Sequence, residues 1–284
     1  MYAITGATGQ LGRLVVEKLL ETVPADQIVA AVRDPAKARD LSERGIVVRE
    51  ADYDRPETLE QAFAGVEKVL LISSSEVTGR FPQHKAVIEA AKKAGVRSIA
   101  YTSMLRADET NTKLGVEHAQ TEQAIKDSGL EWTMLRNGWY TENHLLSLQP
   151  ALEQGAFIGA AGEGRFSSAA RADYAAAAAA VLTGDDHAQK VYELAADASF
   201  TLAELASEVS RQSGSEVAYN NLSETQYAEI LAQFGLPPLM AEYLADADAR
   251  ASEGALHHDG NDLSRLIGRP TTPLADVVGT ALAN

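Results

Sequence analysis

The chain has 284 residues, of which 45% are hydrophobic and 23% charged, a composition typical of a globular protein rather than a disordered or collagen-like one. Its 40 acidic and 25 basic residues give a formal net charge of −15, and no basic run occurs. This excludes nucleic-acid binding through clustered cations and disfavours an anionic membrane surface. An anionic ligand must therefore be held locally, by backbone amides and a few placed cations.

Cysteine is absent, which excludes disulfides, thiolate nucleophiles, cysteine zinc sites and iron–sulfur clusters. The six histidines show no metal-ligand spacing such as HExxH, so no metal site is expected. The first residues lack the basic and apolar regions of a signal peptide, and no apolar stretch approaches the roughly 18 residues of a membrane helix. A cytoplasmic location is expected.

Strand and helix patterns alternate along the first half of the chain. Apolar runs predict strands at residues 2–5, 27–32, 46–50, 66–73, 97–102 and 132–136, separated by helices after residue 10 and over residues 34–44, 56–64, 82–94 and 114–128. Asp34 before Pro35 is a typical helix start, and four helices end at Gly45, Gly65, Gly95 and Gly129. This alternation predicts the α/β class, with a Rossmann-like doubly wound parallel sheet.

The rhythm breaks after about residue 140. Further strands are predicted at residues 156–161, 190–194 and 216–219, and helices at 171–182, 202–212, 224–234 and 238–247. We therefore predict an NAD(P)-binding Rossmann domain at residues 1–140 and a smaller α+β lobe at residues 141–284. Segments 156–161 and 190–194 are candidates to return to the main sheet.

The strongest functional signal is a glycine-rich turn between the first strand and the first helix. Gly6, Gly9 and Gly12 follow GxxGxxG spacing, which permits a tight turn, close approach of a pyrophosphate and close helix–strand packing. The helix N-terminus adds free amides and a partial positive charge. The candidate cofactor-binding residues here are Gly6, Ala7, Thr8, Gly9, Gln10, Leu11 and Gly12.

Arg33 stands at the end of the second predicted strand. An acidic residue there favours NAD, whereas an arginine pairs with the 2′-phosphate of NADP. Asp34 follows directly, but its position before Pro35 gives it the role of helix cap. We therefore predict Arg33 as a cofactor contact; the alternative is an arginine at a solvent-exposed strand end.

Two further strand ends carry polar candidates. Asp52 follows the third strand and can accept a hydrogen bond from an adenine amino group, or it is a plain turn residue. Ser73, Ser74 and Ser75 follow the fourth strand, on the carboxyl edge where ligands bind in such sheets. Their small side chains leave room for a cofactor; the alternative is a polar loop without function.

The segment after the sixth strand ends on the same edge. Asn137 and Gly138 are predicted to approach the nicotinamide end of the cofactor. Trp139 and Tyr140 offer flat surfaces for an aromatic substrate. The alternative for these rings is a core pair at the junction with the smaller lobe.

One pattern of short-chain dehydrogenases is missing. None of the nine tyrosines is followed by lysine four residues later, so the Tyr-x-x-x-Lys pair that transfers a proton to simple ketones is absent and no catalytic residue is assigned. His118, four residues before Glu122, lies in the helix that usually carries this pair and is a candidate substrate contact.

This absence selects among reactions. A simple ketone needs its developing alkoxide protonated or stabilised. A quinone accepts hydride to give a delocalised phenolate that water can protonate, and cationic dyes accept hydride without an acid. We therefore expect that positioning such an acceptor over the nicotinamide is sufficient for catalysis.

At these motifs the chain resembles the NmrA-like, atypical short-chain dehydrogenase family. Within it, the resemblance is to the branch of flavin-free and zinc-free bacterial quinone reductases, with triphenylmethane dye reductase as a near relative. The matching segments are residues 4–12, 32–33, 71–76, 100–103, 135–140, 157–162, 171–174 and 266–268.

The resemblance implies NADPH as the preferred cofactor with NADH weaker, no flavin and no metal, and a quinone bound between the Rossmann domain and the smaller lobe. It adds Trp139, Tyr140, Ser168, Arg171 and Asp173 as cofactor contacts. The rival hypothesis is a sensor that binds nicotinamide nucleotides without catalysis and acts through a protein partner, because the lost Tyr/Lys pair fits this role equally well. A third is a reductase of dyes or other electrophiles.

Overall fold

Seven strands form the central sheet in this computed structural model, which describes residues 1–76, 79–109 and 112–283. The strands are β1 Tyr2–Thr5, β2 Ile28–Val32, β3 Val47–Glu50, β4 Lys68–Leu71, β5 Ser98–Met104, β6 Glu131–Asn137 and β9 Lys190–Leu194. Their spatial order is β3-β2-β1-β4-β5-β6-β9, and the pairings of β1 with β2 and β4, of β2 with β3 and of β4 with β5 are parallel. The predicted α/β class and Rossmann-like sheet are confirmed.

Helices connect these strands as predicted. They are α1 Gln10–Leu20, α2 Arg39–Glu43, α3 Pro56–Ala62, α4 Arg80–Lys93, α5 Lys113–Lys126 and α8 Arg171–Thr183. The glycines at which four helices were predicted to end all adopt positive φ, between 72° and 85°, the left-handed conformation that suits glycine beyond a helix C-terminus.

The helix predicted over residues 34–44 is wrong in detail. The structure has a 3₁₀ turn at Pro35–Ala38 and then α2, because Ala38 leaves helical backbone angles at φ −115° and ψ 19°. The predicted cap is present, since the Asp34 side chain accepts a hydrogen bond from the Ala36 amide at 3.0 Å.

The second half contains short strands and several helices. β7 Ala156–Gly159 pairs in parallel with β11 Ala218–Asn221, and β8 Arg165–Phe166 pairs antiparallel with β10 Phe200–Thr201. Segment 156–159 therefore lies in a separate two-stranded sheet, whereas β9 joins the main sheet. The remaining helices are α6 Thr141–His144, α7 Leu148–Gln154, α9 Leu202–Ser213, α10 Glu224–Gln233, α11 Pro238–Ala251, α12 Asp262–Ile267 and α13 Leu274–Ala283.

The chain divides into two compact units. The first, here called the nucleotide unit, comprises Met1–Met104, Glu117–Arg136 and Ala172–Tyr192; the second comprises Leu105–Val116, Asn137–Arg171 and Glu193–Asn284. Each unit is thus built from three separate segments of the chain. The simple domain boundary near residue 140 stays a prediction.

The core of the nucleotide unit is apolar on both faces of its strands. All five residues of β2 are buried, as expected for a strand covered by helices on both sides. One large buried cluster includes Val29 and Ala31 of β2, Leu71 of β4 and Phe63 and Tyr101. This packing fixes the strands, so the loops at their carboxyl ends stand on a rigid base.

Candidate functional site

A cleft lies at the carboxyl ends of the strands in the nucleotide unit. Its position follows from the strand order, because the chain runs from β1 to β2 and β3 on one side and to β4 and β5 on the other, and ligands bind where the order reverses in this way. The cleft has a volume of about 350 Å³ and is lined by Gly6, residues 8–12, Arg33, residues 51–54, residues 72–76 and Gln83.

The glycine-rich turn forms one wall of the cleft. Gly6 has φ +59°, and its carbonyl accepts a hydrogen bond from the Gly9 amide at 2.9 Å. A Cβ atom on Gly12 would lie 2.3 Å from that carbonyl oxygen, so only glycine lets α1 pack this closely. No side chain caps the start of α1, which leaves first-turn amides available to a phosphate.

Side chains of this turn divide between cleft and core. Gly6, Gly9 and Gln10 are exposed, whereas Ala7 and Leu11 are buried. Ala7 is the one residue predicted for this turn that does not line the cleft. Contacts from this wall must therefore come chiefly from backbone amides.

Arg33 is exposed and lines the cleft at the end of β2. Among the described residues it makes no hydrogen bond or ion pair. Its neighbour Asp34 is engaged as a helix cap by the Ala36 amide. The guanidinium of Arg33 is therefore accessible from the cleft, and its contact with a cofactor phosphate stays a prediction.

Asp52 makes the turn contact weighed from the sequence and also lies at the cleft, while its contact with an adenine stays a prediction. Its Oδ1 accepts a hydrogen bond from the Asp54 amide at 3.1 Å, which is the turn contact, yet the residue also lines the cleft. Tyr53 beside it was missed: its hydroxyl lies 2.5 Å from Thr5 Oγ1 and 3.0 Å from the Ile72 carbonyl. This side chain ties the ends of β1 and β4 together at the cleft.

Residues 72–76 after β4, here called the serine segment, form the opposite wall of the cleft. Thr102 Oγ1 accepts a hydrogen bond from the Ser73 amide at 2.9 Å. Ser74 Oγ donates to Gln83 Oε1 at 2.6 Å, and Gln83 Nε2 donates to the Asp54 carboxylate at 3.0 Å. Gln83 was missed, because nothing in the sequence distinguishes it from other polar helix residues.

His118 and Glu122 lie inside the nucleotide unit and do not line the cleft. His118 is 6% exposed, and its Nδ1 lies 2.7 Å from the Tyr101 hydroxyl. Burial lowers the pKa of His118 well below its usual value, so the ring is neutral. Glu122 forms an ion pair with Arg136. Substrate contact by His118 stays a prediction.

The segment after β6 belongs to the second unit. Asn137 ends β6, and its carbonyl accepts a hydrogen bond from the Leu105 amide at 2.9 Å. The Gly138 amide donates to the Leu194 carbonyl at 2.9 Å. The half-buried Trp139 and Tyr140 follow, and Arg171 lies 4.9 Å over the Tyr140 ring.

The residues assigned by resemblance near α8 have defined places. Ser168 is buried, with its Oγ 3.1 Å from His144 Nε2. Arg171 donates from Nη2 to Asn143 Oδ1 at 2.9 Å. Asp173 is completely buried. Their contacts with a cofactor stay predictions.

Each unit has one described residue, predicted to contact the cofactor, that carries a buried polar atom without a hydrogen-bond partner. Ser73 Oγ and Asn137 Oδ1 have no hydrogen-bond partner among the described residues, although such groups are nearly always satisfied in native proteins. Both belong to residues predicted to contact the cofactor. Within the nucleotide unit, the buried Ser73 Oγ and the uncapped start of α1 are suited to a bound dinucleotide such as NADPH.

Among the described residues, every helix is too short or too polar to span a membrane. The same residues contain no cluster of three or more histidine, aspartate or glutamate side chains that could hold a metal ion.

The chain is similar to known proteins along its whole length. It is 58% identical over 278 residues to quinone oxidoreductase 2 of Escherichia coli (strain K12), covering 98% of this chain and 97% of that protein. The crystal structure of an NADPH-dependent quinone oxidoreductase from Escherichia coli complexed with NADPH matches all of both chains with a TM-score of 0.97 and 57% identity.

A third match is more distant. The NADP(H) complex of triphenylmethane reductase from Citrobacter sp. matches with a TM-score of 0.95 and 40% identity, over 99% of this chain and 100% of that chain. The resemblance seen in the sequence is thereby confirmed. The profile of the family described as NAD(P)H-binding matches residues 6–185, and the chain belongs to this NAD(P)H-binding family.

Proposed function

We propose that this protein reduces quinones with NADPH, by direct hydride transfer and without flavin or metal. The observation that carries the proposal is the match, at 57% identity over the whole chain, to the NADPH complex of a quinone oxidoreductase. The cleft supports it, because its walls combine free helix amides with an arginine at the end of β2.

In this proposal, different residues of the cleft contact different parts of the cofactor. Residues 6–12 hold the pyrophosphate through backbone amides, Arg33 pairs with the 2′-phosphate, and Asp52 accepts from the adenine. Ser73, Ser74 and Ser75 contact the central part of the cofactor. NADPH therefore binds more tightly than NADH, which lacks the 2′-phosphate.

We assign the nicotinamide end to the residues that follow β6. Asn137 supports this assignment, because its buried Oδ1 has no partner among the described residues and suits the amide of the nicotinamide. Gly138 leaves room beside Asn137. Trp139 and Tyr140 face the aromatic acceptor, and His118 also contacts this acceptor in the proposal. Ser168, Arg171 and Asp173 complete the set of proposed cofactor contacts.

Bound NADPH supplies a hydride, which carries both electrons. The quinone takes up this hydride and one proton to become a hydroquinone, and NADP⁺ is left. Since the hydride product is a delocalised phenolate, the protein needs no dedicated acid. Its own residues bind the two reactants, orient them and exclude water.

The negative charge of the chain and its lack of cysteine support a small-molecule partner in the cytoplasm rather than a nucleic acid or a membrane surface. This location is part of the proposal and can be checked by fractionating cells that express the protein.

The decisive experiment is steady-state turnover by the purified protein. With NADPH and a simple benzoquinone, and no added flavin or metal, NADPH oxidation should require both the protein and the quinone. NADPH deuterated at the transferred position should slow turnover if hydride transfer limits the rate. The absence of quinone-dependent turnover would refute the proposal.

The same assay separates the rival hypotheses. Tight NADPH binding without turnover of any acceptor would instead support the nucleotide sensor. A panel of quinones and triphenylmethane dyes tests the third alternative, and much faster turnover with dyes would make quinone reduction incidental.

A further inference from the structure

Three side chains at the start of α4 make hydrogen bonds to the serine segment of the cleft. Arg80 Nε donates to the Glu76 carbonyl. Gln83 Oε1 accepts from Ser74 Oγ at 2.6 Å, and His84 Nε2 accepts from the Ser74 amide at 2.9 Å. Positions i, i+3 and i+4 lie on one helix face, so a single face of α4 holds this segment.

His84 differs from the other two because it is buried deepest. It is 1% exposed, and it holds a backbone amide rather than a side chain. Its other nitrogen, Nδ1, lies 2.9 Å from Thr121 Oγ1 on α5. The ring therefore bridges α5 and the wall of the cleft.

The hydrogen-bond pattern determines the tautomer of this ring. The Ser74 amide can only donate, so Nε2 of His84 must accept and carries no proton. The proton of the neutral ring then lies on Nδ1, which donates to Thr121 Oγ1, and the Thr121 hydroxyl can donate to the Glu117 carbonyl at 3.0 Å. Burial and the nearby Arg80 charge lower the pKa of His84 to about 3, so the ring stays neutral.

Neighbouring amides of the segment are held in the same manner. Thr102 Oγ1 accepts from the Ser73 amide at 2.9 Å, and Ser74 Oγ accepts from the Glu76 amide at 3.2 Å. Side chains thus define the course of a segment that no strand ladder supports beyond Leu71.

We propose that His84 is a positioning residue of the cofactor site, whose neutral Nδ1-protonated ring fixes the serine segment in the conformation that receives NADPH. This inference rests on the proposed function, because it deepens the assignment of residues 73–75 to the cofactor. His84 itself does not line the cleft and acts through Ser74.

The tautomer is tested first, in the unchanged protein. Nitrogen NMR of the histidine-labelled chain should show His84 protonated at Nδ1 and unprotonated at Nε2 near neutral pH. A ring protonated at Nε2 could not accept from Ser74 and would overturn the proposal. This measurement does not depend on any variant folding.

The variants then test the consequence. His84→Phe keeps a ring but leaves the Ser74 amide without an acceptor, and should weaken NADPH binding about tenfold. The KM for NADPH should rise by a similar factor, whereas the quinone KM and kcat at saturating NADPH should change less than about twofold. His84→Gln, which places an acceptor oxygen near the position of Nε2, should restore most of the affinity.

Thr133→Val is the matched control. It removes another hydrogen bond from a buried side chain to a backbone group, from Thr133 Oγ1 to the His187 carbonyl at 2.7 Å, and Thr133 does not line the cleft. It should lower the melting temperature without changing NADPH affinity. An unchanged affinity in His84→Phe, or an equal loss in both variants, would refute the positioning role.

NADPH binding is measured directly, by fluorescence titration. If the unchanged protein binds NADPH but turns over no quinone, the proposed function fails while the His84 comparison remains valid. If quinone turnover is normal and His84→Phe binds NADPH as well as the unchanged protein, only the positioning role fails.

Discussion

Arg136 at the end of β6 and Glu122 on α5 form a buried, two-point ion pair. Arg136 Nε lies 2.8 Å from Glu122 Oε1, and Nη2 lies 2.7 Å from Oε2. The two side chains are 4% and 3% exposed, and Ser103 Oγ on β5 donates to Oε1 at 2.6 Å. One carboxylate thus ties α5 to two central strands.

Removing this carboxylate should be costly. Glu122→Ala removes one partner of this buried ion pair and leaves the Ser103 hydroxyl without its acceptor, and breaking a buried pair in this way typically destabilises a protein by about 3–5 kcal/mol. Urea unfolding of the nucleotide-free protein measures the loss. Glu67→Ala is the control, since its ion pair with Arg97 is half exposed and should contribute at most about 1 kcal/mol. Similar small losses in both variants would contradict this reading.

The glycine-rich turn offers two substitutions with different outcomes. In Gly12→Ala the new Cβ would meet the Gly6 carbonyl at 2.3 Å, so α1 must shift and the melting temperature should fall by several degrees. In Gly9→Ala the same oxygen lies 3.1 Å away, a contact that small movements relieve. Gly9→Ala should therefore keep most of the stability but weaken NADPH binding, because the methyl group occupies the approach of the pyrophosphate.

Calorimetry and nucleotide titration on both variants separate these effects. A Gly9→Ala protein that binds NADPH normally would show that the pyrophosphate does not pass over this position.

The fold could be predicted from the sequence because the signals were local. No knowledge of distant contacts was needed to recognise the apolar strands or the helix ends at Gly45, Gly65, Gly95 and Gly129. The alternation of these strands and helices then implied the parallel sheet. Errors occurred where tertiary contacts override local preference: the serine segment leaves its strand at Leu71, because its amides bond to side chains rather than to a neighbouring strand.

The residues of the cleft could also be predicted only in part. Gly6, Arg33 and Ser73 stand at strand ends, so topology alone brings them together. Tyr53 and Gln83 reach the cleft through side-chain contacts with residues far away in sequence, and no spacing rule reveals such contacts. His84 lies in the helix predicted over residues 82–94, but its hydrogen bond to the Ser74 amide could be found only from the structure.

Arg33→Ala should separate the two nucleotides. If the guanidinium pairs with the 2′-phosphate, losing this charge-assisted contact should weaken NADPH by about 10- to 100-fold and leave NADH nearly unchanged. Titration with each nucleotide measures the ratio. Arg39→Ala is the control, because Arg39 is exposed and paired with Glu43. An equal loss for NADPH and NADH in Arg33→Ala would refute the assignment.

Buried histidines should make stability depend on pH. Burial lowers the pKa of His84 and His144 to about 3, and that of His118 well below its usual value. At these three rings, the unfolded chain therefore binds more protons than the folded one below about pH 6.5. Stability contributed by these rings is present above that pH and is lost as the pH falls, by up to about 1.4 kcal/mol per pH unit for each ring.

One carboxylate opposes this trend. Burial raises the pKa of Asp248 to about 6, and its Oδ2 accepts from the Ala160 amide at 3.0 Å. Its folded form binds a proton more readily than the unfolded chain, so between about pH 4 and 6 it stabilises the fold as the pH falls. In Asp248→Asn, where an amide oxygen can still accept from Ala160, the loss of stability on acidification should become steeper.

Urea unfolding at half-unit steps from pH 7 to pH 5 tests both signs. The stability of the unchanged protein should fall across this range, His118→Phe should reduce the slope, and Asp248→Asn should increase it. Thr133→Val removes no titrating group and should lower stability by the same amount at every pH. A slope that His118→Phe leaves unchanged would mean that this ring is protonated equally in the folded and unfolded states, which its burial against Tyr101 makes unfavourable.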